Sequence, residues 1–171
     1  MNIFVARKSG NDFYNKPDGA LEQESGTLYL PDNTENISYT AAIFVKIIKA
    51  GKYIGTEFSS RYYNLAGGAL NFYITLKLQG NQSRYEERFN FFRSTMMDRS
   101  LFISKNLFES ELLPKEVIEK INLAVSEISR IASLKTGDLI VLEITDQMPV
   151  NKNDSVTFNW QEIQFPSLRI D

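Results

Sequence analysis

Residues two apart on a strand share a face, so a Glu-x-Glu pair in an extended segment can aim two carboxylates at one hard cation such as Mg²⁺. In the apolar run Ile37–Ile48 that spacing is held by Thr40 and Ala42, flanked on the same face by Ser38 and Phe44. A second run, Gly68–Leu78, sets Asn71 on a face with Tyr73, Thr75 and Lys77. Thr40 offers a neutral hydroxyl, Ala42 no donor atom and Asn71 an amide carbonyl. Neutral oxygens can add to a cation's shell, but without an anion they hold Mg²⁺ poorly. The chain has no histidine and no cysteine. That excludes a Ser-His-Asp triad, a His base, thiolate nucleophiles, disulfides and imidazole or thiolate metal sites. Chemistry, if any, falls to Asp, Glu, Lys, Tyr, Ser or Thr.

Other clusters have simpler readings. Glu22/Glu24 and Glu109/Glu111 have chelating spacing, yet they sit beside turn signals or a helix start, where solvated carboxylates are ordinary. Glu86 and Glu87 are adjacent and would split between the faces of a strand. Lys46, Lys49, Lys52 and Arg61 interleave with Tyr53, Tyr62 and Tyr63, as in a nucleic-acid stacking surface. A net charge of −2 and a pI near 5.3 oppose that and favour a solvated basic edge. Gly67-Gly68 lacks the Lys-Ser/Thr of a phosphate loop and enters a strand, so close backbone packing explains it better.

The elements that must position these residues follow from periodicity. Asn2–Arg7, Thr27–Leu30, Ile37–Ile48, Gly68–Leu78, Leu101–Leu107 and Leu139–Ile144 are predicted strands, and Ser155–Phe165 a last one with Val156, Phe158 and Trp160 alternating. In Gly68–Leu78 the apolar face is Leu70, Phe72, Ile74, Leu76 and Leu78. Lys16–Leu21, Ala50–Lys52 and Asn151–Asp154 read as turns, Glu57–Leu65 as a helical turn and Gly80–Arg84 as a loop. Tyr85–Met97 is aromatic and expected against the sheet. One long helix is predicted from about Pro114 to Leu134, with Val117, Ile118, Ile121, Val125, Ile128 and Ile131/Ala132 on its apolar face and Pro114 in its first turn.

The stretches 36–46 and 61–72 resemble the metal-binding heart of the fumarylacetoacetate hydrolase (FAH) superfamily. There the first reads roughly His-Tyr-Glu-x-Glu-Leu-x-Val and the second ends in an Asp-Phe-Thr-like sequence. Lys16-Pro-Asp-Gly and Ser133-Leu-Lys-Thr-Gly-Asp-Leu-Ile-Val141 also resemble family segments, although Leu142-Glu-Ile-Thr145 stands where a Thr-Gly-Thr-Pro motif would follow. The resemblance implies an α+β, predominantly β fold: mixed sheets forming a sandwich or roll with one long helix packed on it. It makes Thr40, Ala42 and Asn71 degenerate metal-site positions, two Glu and one Asp having been replaced by neutral residues. The family's early His is missing as well, and with only Lys8–Asn15 in place of its longer segment the catalytic lid is expected to be absent or reduced to a stub. No metal or cofactor is therefore expected. The resemblance also points to a residual ligand pocket of Arg7, Lys16, Tyr73, Thr75 and Lys77, with a solvated surface position as the competing expectation for Arg7 and Lys16.

The 171 residues suit a single domain spanning 1–171. No apolar run reaches the ~20 residues of a membrane span, and the N-terminus lacks a signal-peptide pattern, so a cytoplasmic protein without nucleic-acid or membrane partners is expected. The joint loss of the family's site residues implies a catalytically degenerate relative acting as a binding or interaction protein. It is expected as a homodimer, or in association with an intact paralogue. The alternative is a metal-independent hydrolase, decarboxylase or isomerase of acylpyruvate- or β-keto-acid-like substrates.

Overall fold

The computed structural model describes residues 1–23, 26–77 and 84–171, and the side chains of all of these except 84–89. Among these residues, fourteen strands and two α-helices follow one another in the order β1 (Ile3–Ala6), β2 (Phe13–Lys16), β3 (Leu21–Gln23), β4 (Gly26–Leu28), β5 (Thr34–Lys46), β6 (Leu65–Leu76), α1 (Arg84–Thr95), β7 (Leu101–Ile103), β8 (Phe108–Glu109), α2 (Lys115–Ile131), β9 (Leu139–Glu143), β10 (Met148–Val150), β11 (Ser155–Val156), β12 (Asn159–Trp160), β13 (Ile163–Gln164) and β14 (Leu168–Ile170). Nine of the strands make one mixed sheet, ordered β2-β1-β9-β5-β6-β7-β3, with β10 added to β5 and β8 to β6. The long antiparallel pair β5/β6 is its spine, and β1/β9 and β3/β7 are its parallel pairs.

This sheet curls. Tyr14 on β2 hydrogen-bonds Asn71 and Tyr73 on β6, although β1, β9 and β5 lie between them in the strand order. Alternation then separates two environments. Ile3, Val5, Ala42, Phe44, Ala69, Leu101, Ile103, Leu139 and Val141 fill the concave side. The intervening residues face outward, where two coverings meet them. Phe4, Ala6, Ile43, Val45, Ile140 and Leu142 lie under α2. Tyr39, Ala41, Leu70, Phe72 and Ile74 lie under the small sheet β11-β14-β4.

Helix α2 buries Val117, Ile121, Ala124, Val125 and Ile128, with Pro114 as its N-cap residue, Glu116 in the first turn and Arg130 in the last, the arrangement the helix dipole favours. Ile131, placed on the apolar face by periodicity, is instead 75% exposed, because the helix ends there and its packed stripe has already turned away.

Several other expectations need correction. The end of the Lys8–Asn15 segment is part of an edge strand, Phe13–Lys16, antiparallel to β1. The aromatic segment after residue 83 is a second helix, α1, so Glu86 and Glu87 lie on a helix and not on a strand. The Ser155–Phe165 strand is broken into β11, β12 and β13, with Gln161 in a left-handed turn between the last two. Gly51 turns the chain but does not join β5 to β6 directly; it bridges to Leu134, and a 3₁₀ helix over Thr56–Tyr62 follows. Leu78, Glu24 and residues 80–83 of the predicted loop Gly80–Arg84 lie outside the described residues, and Arg84 begins α1. Among the described residues no helix is long and apolar enough to cross a membrane.

Gly67 and Gly68 are required by packing. A Cβ on Gly67 would lie 2.5 Å from the Phe44 ring, and one on Gly68 2.6 Å from the Gln164 carbonyl oxygen and 3.0 Å from the Phe165 ring. The segment carrying β12 and β13 is thus pressed onto β6. Gly68→Ala is expected to lower the unfolding free energy by about 1–3 kcal/mol in urea denaturation; an unchanged midpoint would mean that this segment gives way freely.

Candidate functional site

The concave side is apolar at one end and polar at the other, and the change is written in register. Thr40 lies opposite Asn71, Ser38 opposite Tyr73, and Ala42 between Ala69 and Glu143. Continuing the inward parity past Leu139 and Val141 on β9 brings Glu143 into the same space, 3% exposed. Inward parity on β1 leads through Ile3 and Val5 to Arg7 just beyond its end, and on β2 it selects Tyr14 and Lys16.

Glu143 is the centre of this polar end. Its Oε1 accepts hydrogen bonds from Thr40 Oγ1 at 3.0 Å and Asn71 Nδ2 at 2.9 Å, and one from the Tyr73 hydroxyl. The Tyr14 hydroxyl accepts from Asn71 Nδ2 at 2.9 Å and donates to the Tyr73 oxygen at 2.8 Å. Arg7 Nη1 donates to the Tyr73 oxygen at 3.4 Å and stands 3.8 Å from Glu143 Oε2. Its guanidinium carbon lies 5.3, 5.7 and 5.0 Å from the ring centres of Tyr14, Tyr73 and Phe91. Burial, and then the neighbouring Glu143 carboxylate, push the Tyr14 phenol well above its ordinary value. Burial does the same to Tyr73, reinforced by Tyr14 and Glu143. Both phenols therefore serve as protonated donors.

Lys16 forms a second polar anchor. It is 3% exposed, against the expectation of a surface position, because β2 turns it inward beside Tyr14. Its Nζ donates to Ser100 Oγ at 2.6 Å, to the Phe72 carbonyl at 3.2 Å and to the Ser100 carbonyl at 3.3 Å. These bonds tie the edge strand β2 to β6 and to the residue preceding β7. Burial pushes the amine down from 10.5 to about 7, with Glu143 opposing the shift.

The residues singled out from the sequence thus separate. Thr40, Asn71, Tyr73 and Arg7 come together. Ala42 lines the same face without a donor, and Lys16 is committed to the backbone behind them. Thr75 is half-buried further along β6. Lys77 lies beyond the strand end, exposed, its amide bonded to Asn33. Glu143 and Tyr14 were missed. The signals for them are an acid closing the apolar strand Leu139–Glu143 and a Tyr two residues from a Lys at the end of the reduced lid segment. Elsewhere, Glu22 pairs with Arg99 at 2.7 Å, and Lys49, Lys52 and Arg61 stack on Tyr62, Tyr53 and Phe58.

No protein-family model and no curated protein matches the chain. Solved structures do. Fumarylpyruvate hydrolase from Pseudomonas aeruginosa, in complex with Mn²⁺ and pyruvate, is similar over 99% of this chain and 89% of its own, with a TM-score of 0.80 at 17% identity. Maleylpyruvate hydrolase from Sphingobium sp. SYK-6 is similar over 99% and 69%, with a TM-score of 0.73 at 11% identity. The 2-hydroxyhepta-2,4-diene-1,7-dioate isomerase from Mycobacterium marinum is similar over 99% and 73%, with a TM-score of 0.73 at 14% identity. The chain has the fold of the fumarylacetoacetate hydrolase superfamily.

Whether this chain's residues fit a divalent ion is a matter of donor polarity. Thr40 and Asn71 point an O–H and an N–H at the one carboxylate in the cluster, and Arg7 adds positive charge beside it. Among the described residues, no group of three or more His, Cys, Asp or Glu is arranged to hold a metal. Asn71 Oδ1 is a buried acceptor with no hydrogen-bond partner, a single neutral oxygen. A hard dication needs several oxygens, anionic ones foremost. These residues do not fit it.

Two outcomes test this electrostatic arrangement. Glu143→Ala is expected to cost about 3–5 kcal/mol of stability, since it strands buried donors and a guanidinium. Tyr73→Phe should cost about 1.5–3 kcal/mol, and less than that in the Glu143→Ala background; additive losses in urea denaturation would contradict the shared hydrogen bond. Lys16 provides a pH signature. Its folded-state value lies below that of the unfolded chain, so its burial cost is fully present below about pH 7 and fades toward 10.5. The stability of wild type relative to Lys16→Met should therefore rise across that window, and a flat difference would mean an unshifted amine.

Proposed function

We propose that this protein is a catalytically degenerate relative of the acylpyruvate hydrolases and isomerases whose fold it has, and that it acts as a binding or interaction protein. The carrying observation is the hydrogen-bond polarity around Glu143: positions that would offer oxygens to a metal in the resembling family here donate protons to a carboxylate. A homodimer in the cytoplasm is the assembly we favour, with pairing to an intact paralogue as a structural or regulatory subunit the variant of it. Expected in calorimetry is no saturable binding of Mn²⁺ or Mg²⁺ and no metal-dependent turnover of acylpyruvates or oxaloacetate. Micromolar binding of either ion would overturn the reading.

A second reading, metal-independent catalysis on β-keto acids, draws support from Arg7. Its side chain is 32% exposed, at the edge of the polar cluster, where a cation could stabilise an enolate. Lys77 and Lys16, the other candidates for that role, are respectively remote and committed to the backbone. Turnover that survives EDTA and disappears in Arg7→Met would establish this reading in place of the first.

A further inference from the structure

Arg7 sits in surroundings that would form a receptor for an organic cation if Arg7 were removed. Tyr14 comes from β2, Tyr73 from β6, Phe91 from α1 and Glu143 from β9, four elements far apart in sequence. Their three ring centres lie 5.0–5.7 Å from the guanidinium carbon. The rings also brace each other, Tyr14 and Phe91 edge to face at 5.3 Å and Tyr14 and Tyr73 tilted at 6.3 Å. Aromatic faces present negative potential to a cation, and a buried carboxylate completes such a box. The hydrogen bonds have the matching sense. Tyr73 receives Arg7 Nη1 on its oxygen while donating its own proton to Glu143 Oε1, which leaves Oε2 facing the guanidinium.

The charge balance points the same way. Thr40, Asn71 and Tyr73 are neutral donors, and Lys16 is turned to backbone carbonyls and Ser100. A carboxylate 3% exposed needs opposite charge as well as hydrogen bonds; among the described residues Arg7 makes the ion pair with it, and Lys16 acts on it from beyond ion-pair distance. Resting on the reading that this site does not take a dication, we infer that Arg7 is the protein's built-in cation. Tyr14, Tyr73, Phe91 and Glu143 form a guanidinium receptor occupied by the chain's own arginine, and once vacated it takes a small planar guanidinium compound in preference to a divalent metal.

The test uses methylguanidinium and Mn²⁺ as probes on the full chain. Arg7→Gly should melt below wild type. Millimolar methylguanidinium should raise its melting temperature in a saturable way, with no effect on wild type and none from Mn²⁺. Adding Phe91→Ala should weaken methylguanidinium binding roughly tenfold or more. A folded Arg7→Gly protein indifferent to methylguanidinium, or one stabilised by Mn²⁺ instead, overturns the inference. Wild type supplies a readout that does not depend on the variant folding. The Arg7 guanidinium NMR signals should be ring-current shifted, with slowed Nε–Cζ rotation and hydrogen exchange. Signals at free-arginine positions overturn the inference. If Mn²⁺ titrated into wild type stays unbound while Arg7 behaves as free arginine, only the receptor fails. Tight Mn²⁺ binding to wild type would instead defeat the functional reading beneath it.

Discussion

A carboxylate removed from water must be met by proton donors or by opposite charge, and in this molecule Glu143 concentrates that demand at one end of a curled sheet. Four strands answer it. Thr40 is supplied by β5, Asn71 and Tyr73 by β6, and Tyr14 by β2 through the Tyr73 hydroxyl, while Arg7 follows directly on β1. Strands that are not neighbours in the sheet are thereby drawn to one point, and the curvature has a polar clasp. Each of those donors would be costly if its partner were absent, since a buried donor without an acceptor forfeits the hydration it had in the unfolded chain.

Beneath the clasp the same strands carry apolar side chains of the same parity, so the sheet's interior is a packed core. Lys16 closes a second point on the curl, linking edge strand β2 to β6 and to the turn before β7. The convex face is covered by α2 on one part and by β11-β14-β4 on another. The fold is shared with hydrolases and isomerases at identities of 11–17%, a range in which the backbone plan persists while side-chain chemistry can be replaced. The inward face of β5 and β6 in this chain carries the neutral Thr40, Ala42 and Asn71.

Elements with a long, regular pattern were legible from the sequence. Thirteen residues of β5, twelve of β6 and the stripe of α2 repeat often enough for periodicity to declare both type and buried face. Short elements were not. Phe13–Lys16 offers four residues, one of them a charged Lys, and a β2 edge is recognised by its pairing with β1 and by nothing local. The C-terminal strands have two or three residues each and exist because β4 and one another supply partners.

The candidate site divides along the same line. That Thr40, Ala42 and Asn71 are neutral, that histidine and cysteine are missing, and that Tyr73 shares a face with Asn71 are properties of composition and of two-residue alternation, so the chain alone determined them. What faces those residues was decided by the folded molecule. Glu143 is 103 residues from Thr40 and 72 from Asn71, and Arg7 is 66 from Tyr73. No local pattern encodes meetings over such separations. They arise because strand order and curl place four inward faces around one point, where burial turns an unremarkable glutamate into the charge that every neighbour must answer.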